Sequence, residues 1–240
     1  MIKRKFLWGW QVLFVVVTLL LISIPRASAT GRLGAYLIRM VPQGKDAQNF
    51  SGESWGFGLH AISPVPKLPE IIAGMAGIEV TNLLSSTTQF IDRQTGLRVE
   101  QQTDQTYARI FVGPQVGGLG KGFFRPHLGS NLALVIYDIH TDVVIPDDYD
   151  RENEIRQSLR SEIKAVFGYD FTLGMDFNIN NKIALDVGAR FLKSFSVPQQ
   201  LGEGSVKIHP QYFQIYFSVA ATFDLFKEKP KGGEDNAEDD

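Results

Sequence analysis

Hydrophobic and polar positions along this chain alternate with a period of two over several long stretches. From Phe167 to Ile179 the odd positions read Phe167, Tyr169, Phe171, Leu173, Met175, Phe177 and Ile179. The even positions between them read Gly168, Asp170, Thr172, Gly174, Asp176 and Asn178. A helix scatters such sets around its surface, whereas a strand sends them to opposite faces. Ile183, Leu185, Val187, Ala189 and Phe191 repeat the design against Ala184, Asp186, Gly188 and Arg190. Phe213, Ile215, Phe217, Val219, Ala221, Phe223 and Leu225 do so again near the end. Five less regular segments, at 33–41, 54–61, 71–81, 107–112 and 124–139, bring the expected strands to eight. Glu79 and Arg109 fall on their polar faces, while Val135 and Tyr137 blur the fifth and 33–41 cannot be assigned faces.

The connections also alternate. Longer polar stretches fall at 42–53, 85–105, 141–161 and 196–209, and shorter turn-rich ones at 62–70, 113–123 and 179–182. A spanning barrel with both termini on one side has four longer outer loops and three shorter inner turns. The expected fold class is therefore all-β, an eight-stranded antiparallel up-and-down transmembrane barrel. A secreted soluble barrel also alternates. Here the polar face is rich in Gly and Ala with isolated charges, where a water-facing exterior carries Lys, Glu and Thr in quantity. The membrane sense is the expected one.

The start of the chain reads as an export signal. Lys3, Arg4 and Lys5 precede an apolar run from Phe6 to Ile24, and Ala27-Ser28-Ala29 offers a small-x-small cleavage site. Cleavage after Ala29 leaves 211 residues with 20 basic and 26 acidic groups. That balance argues against a nucleic-acid partner. The chain has no Cys, hence no disulfide framework. The expected organisation is a signal peptide over 1–29, a barrel over 30–226 and a charged, disordered tail over 227–240.

The stretch Phe124-Arg125-Pro126-His127-Leu128-Gly129-Ser130-Asn131-Leu132-Ala133 resembles the RPY-x-G-x-G strand opening of the bacterial outer-membrane β-barrel domain family. The D-x-G-x-R run at Asp186–Arg190 is similar to that family's penultimate strands. The resemblance implies a small barrel of the OmpA or OmpX type, placed in the outer membrane by barrel-assembly machinery among outer-membrane lipid and lipopolysaccharide. Such barrels usually end on an aromatic residue; here the last strand ends near Phe226 and a tail follows.

Candidate chemistry is sparse. Asp170, Asp176, Asp186, Arg190, Arg109 and Glu79 are expected to form a charge network in the lumen. Avoiding like charges across a strand pair predicts a register with Asp170 opposite Arg190 and Gly174 opposite Asp186. Asp142, Asp147, Asp148, Asp150, Glu152 and Glu154 make the third outer loop acidic, as a solvated loop or a divalent-ion bridge to lipopolysaccharide; residues 152–164 could instead extend the flanking hairpin. His60, His127, His140 and His209 lack the spacing of metal ligands, and His140 and His209, near the outer rim, are the candidates for a rim-located enzyme. The expectation is no enzyme, no cofactor and no metal. The first functional expectation is a structural or surface-interaction barrel with a plugged lumen. Its rivals are a transport barrel for small or apolar solutes and a rim-located lipid A- or peptide-modifying enzyme. A surface protein or small-molecule partner is left open.

Overall fold

A computed structural model describes residues 30–49, 51–65, 68–69, 71–91, 98–119, 122–145, 155–180, 182–201 and 204–224. The expected signal peptide and tail lie outside these residues. Thr30–Phe223 forms one compact unit. Its strands are β1 (Thr30–Gln43), β2 (Ser54–Pro64), β3 (Ile72–Ile91), β4 (Arg98–Gly117), β5 (Phe124–Ile145), β6 (Ile155–Asn178), β7 (Ile183–Ser194), β8 (Val197–Leu201), β9 (Gly204–Ile208) and β10 (Gln211–Asp224). A short helix α1 (Gly44–Gln48) follows β1.

Eight of these strands close into a barrel in the order β1-β10-β7-β6-β5-β4-β3-β2, and β8 and β9 pair separately. Each neighbour in the barrel is also a neighbour in sequence, apart from the β8–β9 insertion and the closing β1–β10 seam. This is the up-and-down, all-β architecture the alternation predicts. Closure leaves no sheet edge in the barrel wall, which a spanning sheet requires because lipid satisfies no backbone polar group.

The apolar set faces outward on every strand. Trp55 and Phe57 of β2, Leu132 of β5, Phe167 and Phe171 of β6, and Ile215 and Phe217 of β10 are among the exposed large hydrophobics, with Leu132 67% accessible. The facing set is buried, charges included: Asp170 is 0% accessible and Arg109 1%. Water would make this arrangement inside out; lipid makes it the stable sense.

Strands β3 to β6 are longer than expected. At roughly 3.3 Å per residue and a tilt near 40°, the 24 residues of β6 rise about 60 Å against an apolar band of about 25 Å. β2 leaves β3 at Gly56↔Thr81, and β7 leaves β6 at Gly168↔Ser194. Beyond those points β3, β4, β5 and β6 continue as an open four-stranded sheet. The described residues of the stretches expected as loops at 85–105 and 141–161 are therefore strand, and from Ile155 to 164 β6 extends the flanking hairpin as the alternative had it. Cross-strand polar pairs stabilise them, such as Ser85 to Asp104 (2.7 Å) and Gln89 to Glu100 (2.8 Å). Asp147, Asp148, Asp150, Glu152 and Glu154 lie outside the described residues.

Candidate functional site: the lumen

The lumen is built in three tiers, because each strand delivers every second residue to it. In the middle tier β3 brings Glu79, β4 Arg109, β6 Asp170 and β7 Arg190. Arg109 pairs with Glu79 at 2.8 Å and with Asp170 at 2.6 Å. Arg190 reaches Glu79 at 3.2 Å and Asp170 at 3.7 Å. Two cations and two anions thus alternate around a closed ring. Its remaining acceptor capacity is used by Gln214 on Glu79 (2.6 Å), Tyr36 on Glu79 (3.1 Å) and Asn131 on Asp170 (2.7 Å). Phe111 lies under both guanidinium groups, at 4.4 Å from Arg109 and 5.2 Å from Arg190. Gly77 makes this possible, since a Cβ there would stand 2.5 Å from the Phe111 ring.

Toward the short-turn end, Arg32 of β1 donates to Asp176 (3.0 Å) and to the Gly118 carbonyl (2.9 Å). Arg125 donates to Asn178. His127 Nε2 lies 3.1 Å from the Tyr216 hydroxyl and 3.7 Å from Asp186. His60 stacks on Tyr36 at 5.3 Å and faces Ser218 at 3.4 Å. At the end of β4 the chain folds back toward the interior at this mouth. Gly117 and Gly118 take φ of +91° and +82°, which L side chains rarely adopt. That fold-back buries Gly118 and packs Leu119 against the interior apolar cluster.

Toward the long-connection end the filling changes to apolar and aromatic. Ile38, Met40, Leu83, Leu192, Tyr107, Tyr137 and Tyr212 are all buried. Tyr107 contacts Tyr137 and Tyr212 edge-on at 5.5 and 5.9 Å. Val135 and Tyr137 blur the sequence pattern because their inward face is apolar here. Above this tier α1 buries Ala47, and the β8–β9 hairpin buries Val197 and Ile208. The His209 amide donates to Asp46 of α1 at 2.8 Å and ties the two caps together.

The six residues expected to share the lumen fall in two tiers. Glu79, Arg109, Asp170 and Arg190 come together, while Asp176 and Asp186 sit lower. The expected register is corrected: Thr172 lies opposite Arg190, Asp170 opposite Leu192, and Asp176 opposite Asp186. The chain turns over 179–183, with the Asn180 side chain accepting the Lys182 and Ile183 amides at 2.8 Å, so the register slips by two. Arg32, 144 positions away in sequence, supplies the positive charge that an isolated hairpin lacks. Sequence reasoning missed Arg32 and Arg125 as lumen residues; His60, His127 and Tyr216 fall on faces it read as polar, but it did not name them as members of the network. Extending the period of two through 32–40 gives Arg32, Gly34 and Tyr36 one face, the signal that could have found the first of them.

At the rim, Asp142 meets His140 at 3.0 Å and Arg156 at 3.6 Å. Glu162, in the projecting sheet, takes hydrogen bonds from Arg160 and Lys164, which hold its carboxyl down to about 2. The stabilisation from those bonds is complete above the ordinary carboxylate range and is lost as pH falls through about 2. His140 and His209 are on separate elements, one in β5 and one after β9.

A closed eight-stranded barrel with an apolar flank and a charged interior defines a small transmembrane β-barrel of the outer-membrane kind. No family model matches the sequence, and no curated protein shows a significant sequence match. In fold, the chain is similar to Neisserial surface protein A, at 10% identity and TM-score 0.53 over 80% of this chain and 97% of that one. Weaker likenesses include the Yersinia pestis attachment invasion locus protein Ail (12%, TM-score 0.42, 81% and 97%) and E. coli outer membrane protein W (13%, TM-score 0.41, 83% and 100%). Of these three, the first carries the comparison, and it speaks for the fold alone.

Proposed function

We propose that this protein is a plugged outer-membrane barrel that acts through what it displays above the membrane, as a structural or surface-interaction protein. The observation that carries this reading is the filling of the lumen along its described length. A folded-in turn, an ion-pair ring and a tyrosine tier follow one another, with α1 and β8–β9 above. An eight-stranded barrel leaves room for little beyond side chains, and here those side chains are mutually bonded. The long β3–β6 sheet, with its polar cross-strand pairs, supplies the surface a partner or lipopolysaccharide would meet. Planar-bilayer recording of the refolded full-length protein tests the reading. A silent membrane is expected; discrete, reproducible conductance steps would replace it with the transport reading.

A further inference from the structure

His127, Asp176 and Asp186 meet in the turn-side tier, each buried, with one donor atom from each within 4.8 Å of the others. Two carboxylates directly across a strand pair repel, and Arg32 touches only Asp176 of the two. The imidazole adds a second, independent observation. Tyr216 donates to Asp186 at 3.5 Å, so its oxygen accepts from His127 Nε2 at 3.1 Å. That assignment puts the His127 proton on Nε2 and leaves Nδ1 with a bare lone pair. Nδ1 is buried, has no side-chain hydrogen-bond partner and lies 4.0 Å from an Asp176 oxygen. Two electron-rich atoms therefore face each other with no proton between them.

We infer that His127 Nδ1, Asp176 and Asp186 form a binding site for a first-row divalent cation, of which Zn²⁺ is the natural probe. Three donors bonded at about 2.1 Å to one cation stand about 3.4–3.6 Å apart. The 4.0 Å between Nδ1 and Asp176 must therefore close by about half an ångström on binding, and the widest gap in the cluster, at most 4.8 Å, by somewhat more than one. One imidazole with two carboxylates suits zinc and its neighbours better than an all-oxygen magnesium or calcium shell. Nε2–H donating to Tyr216 is the outer-shell bond that holds a ligating imidazole in place. Arg32 sets the limit on affinity. It competes for Asp176, and with Arg125 and Arg190 nearby it opposes added positive charge. Removing Arg32 should therefore tighten the site.

The test uses full-length protein folded in detergent micelles, stripped with a chelator and titrated with Zn²⁺ by calorimetry. Every variant is first checked for the gel-mobility shift between unheated and boiled forms. One saturable site is expected, weakened at least tenfold in His127→Gln and in Asp186→Asn, and tightened in Arg32→Gln. His140→Gln should leave it unchanged, since His140 and Asp142 make the rival pair at the rim. Co²⁺ added to the wild type reads the geometry without any substitution, through the intense visible bands of a four-coordinate ion. Absence of saturable Zn²⁺ binding, its survival in both lumen variants, or its loss in His140→Gln would each overturn the assignment.

Discussion

Arg109 shows what a single buried charge does in this barrel. It is fully enclosed, and both of its partners, Glu79 and Asp170, are equally enclosed. Taking an ion out of water costs several kcal/mol, recovered only when its partner and its remaining hydrogen bonds are in place. Arg109→Leu leaves Glu79 and Asp170 sharing Arg190, with one negative charge uncompensated in the middle of the lumen. The expected loss is about 3–5 kcal/mol, read as a fall in the urea midpoint of the protein in micelles. A loss below 1 kcal/mol would mean the ring is dispensable. Arg190 shares Phe111 with Arg109 and is held by two further ring faces: Tyr36, Phe111 and Tyr216 lie 5.6, 5.2 and 5.1 Å from its guanidinium. Lysine, a compact and strongly hydrated charge, would be a poor replacement there.

At the scale of elements, the turn between β4 and β5 carries a specific burden. Gly118 combines a φ of +82° with a position where a Cβ would meet Asp176 and the Gln115 side chain at 2.7 Å. Gly118→Val is expected to cost about 1–3 kcal/mol through backbone strain and to push Leu119 out of the lumen. Thermal unfolding checks the first effect, and protease sensitivity of the 117–123 turn checks the second. Strands β6, β7 and β10 were legible in the sequence because their two faces meet opposite media, lipid and a polar lumen. The faces of β1 were not, because Leu33 and Leu37 face out while Ile38 and Met40 face an apolar tier. When both sides of a strand are apolar, alternation vanishes although the strand does not. The β6–β7 register was misread for a related reason. A hairpin shows its own charges, but the Arg32 that makes Asp176 tolerable comes from another strand. The length of β3–β6 was also hidden, since polar strands above a membrane carry the same residues as loops.

For the whole molecule, the flank is a solvent specification. Leu132 projects from the middle of β5 with 67% of its surface accessible, between the similarly exposed Leu128 and the half-buried Leu134. Leu132→Arg is expected to destabilise the lipid-embedded barrel by about 2–4 kcal/mol if it lies near the bilayer midplane. Gln102→Arg, on the projecting sheet, should change little. Unfolding titrations in lipid vesicles compare the two, and equal effects would mean the apolar flank does not face lipid.

The ring of ion pairs has a kinetic consequence. Its members come from β3, β4, β6 and β7, and the pair below joins β1 to β6. Glu79 and Arg190 are far apart along the chain, so no single hairpin can satisfy them. A partly assembled sheet entering lipid would carry unpaired charge and an open edge together, and both penalties vanish only when the seam between β1 and β10 zips. Insertion and closure are thereby coupled into one cooperative event, with half-built barrels held back at the interface until the circle is complete.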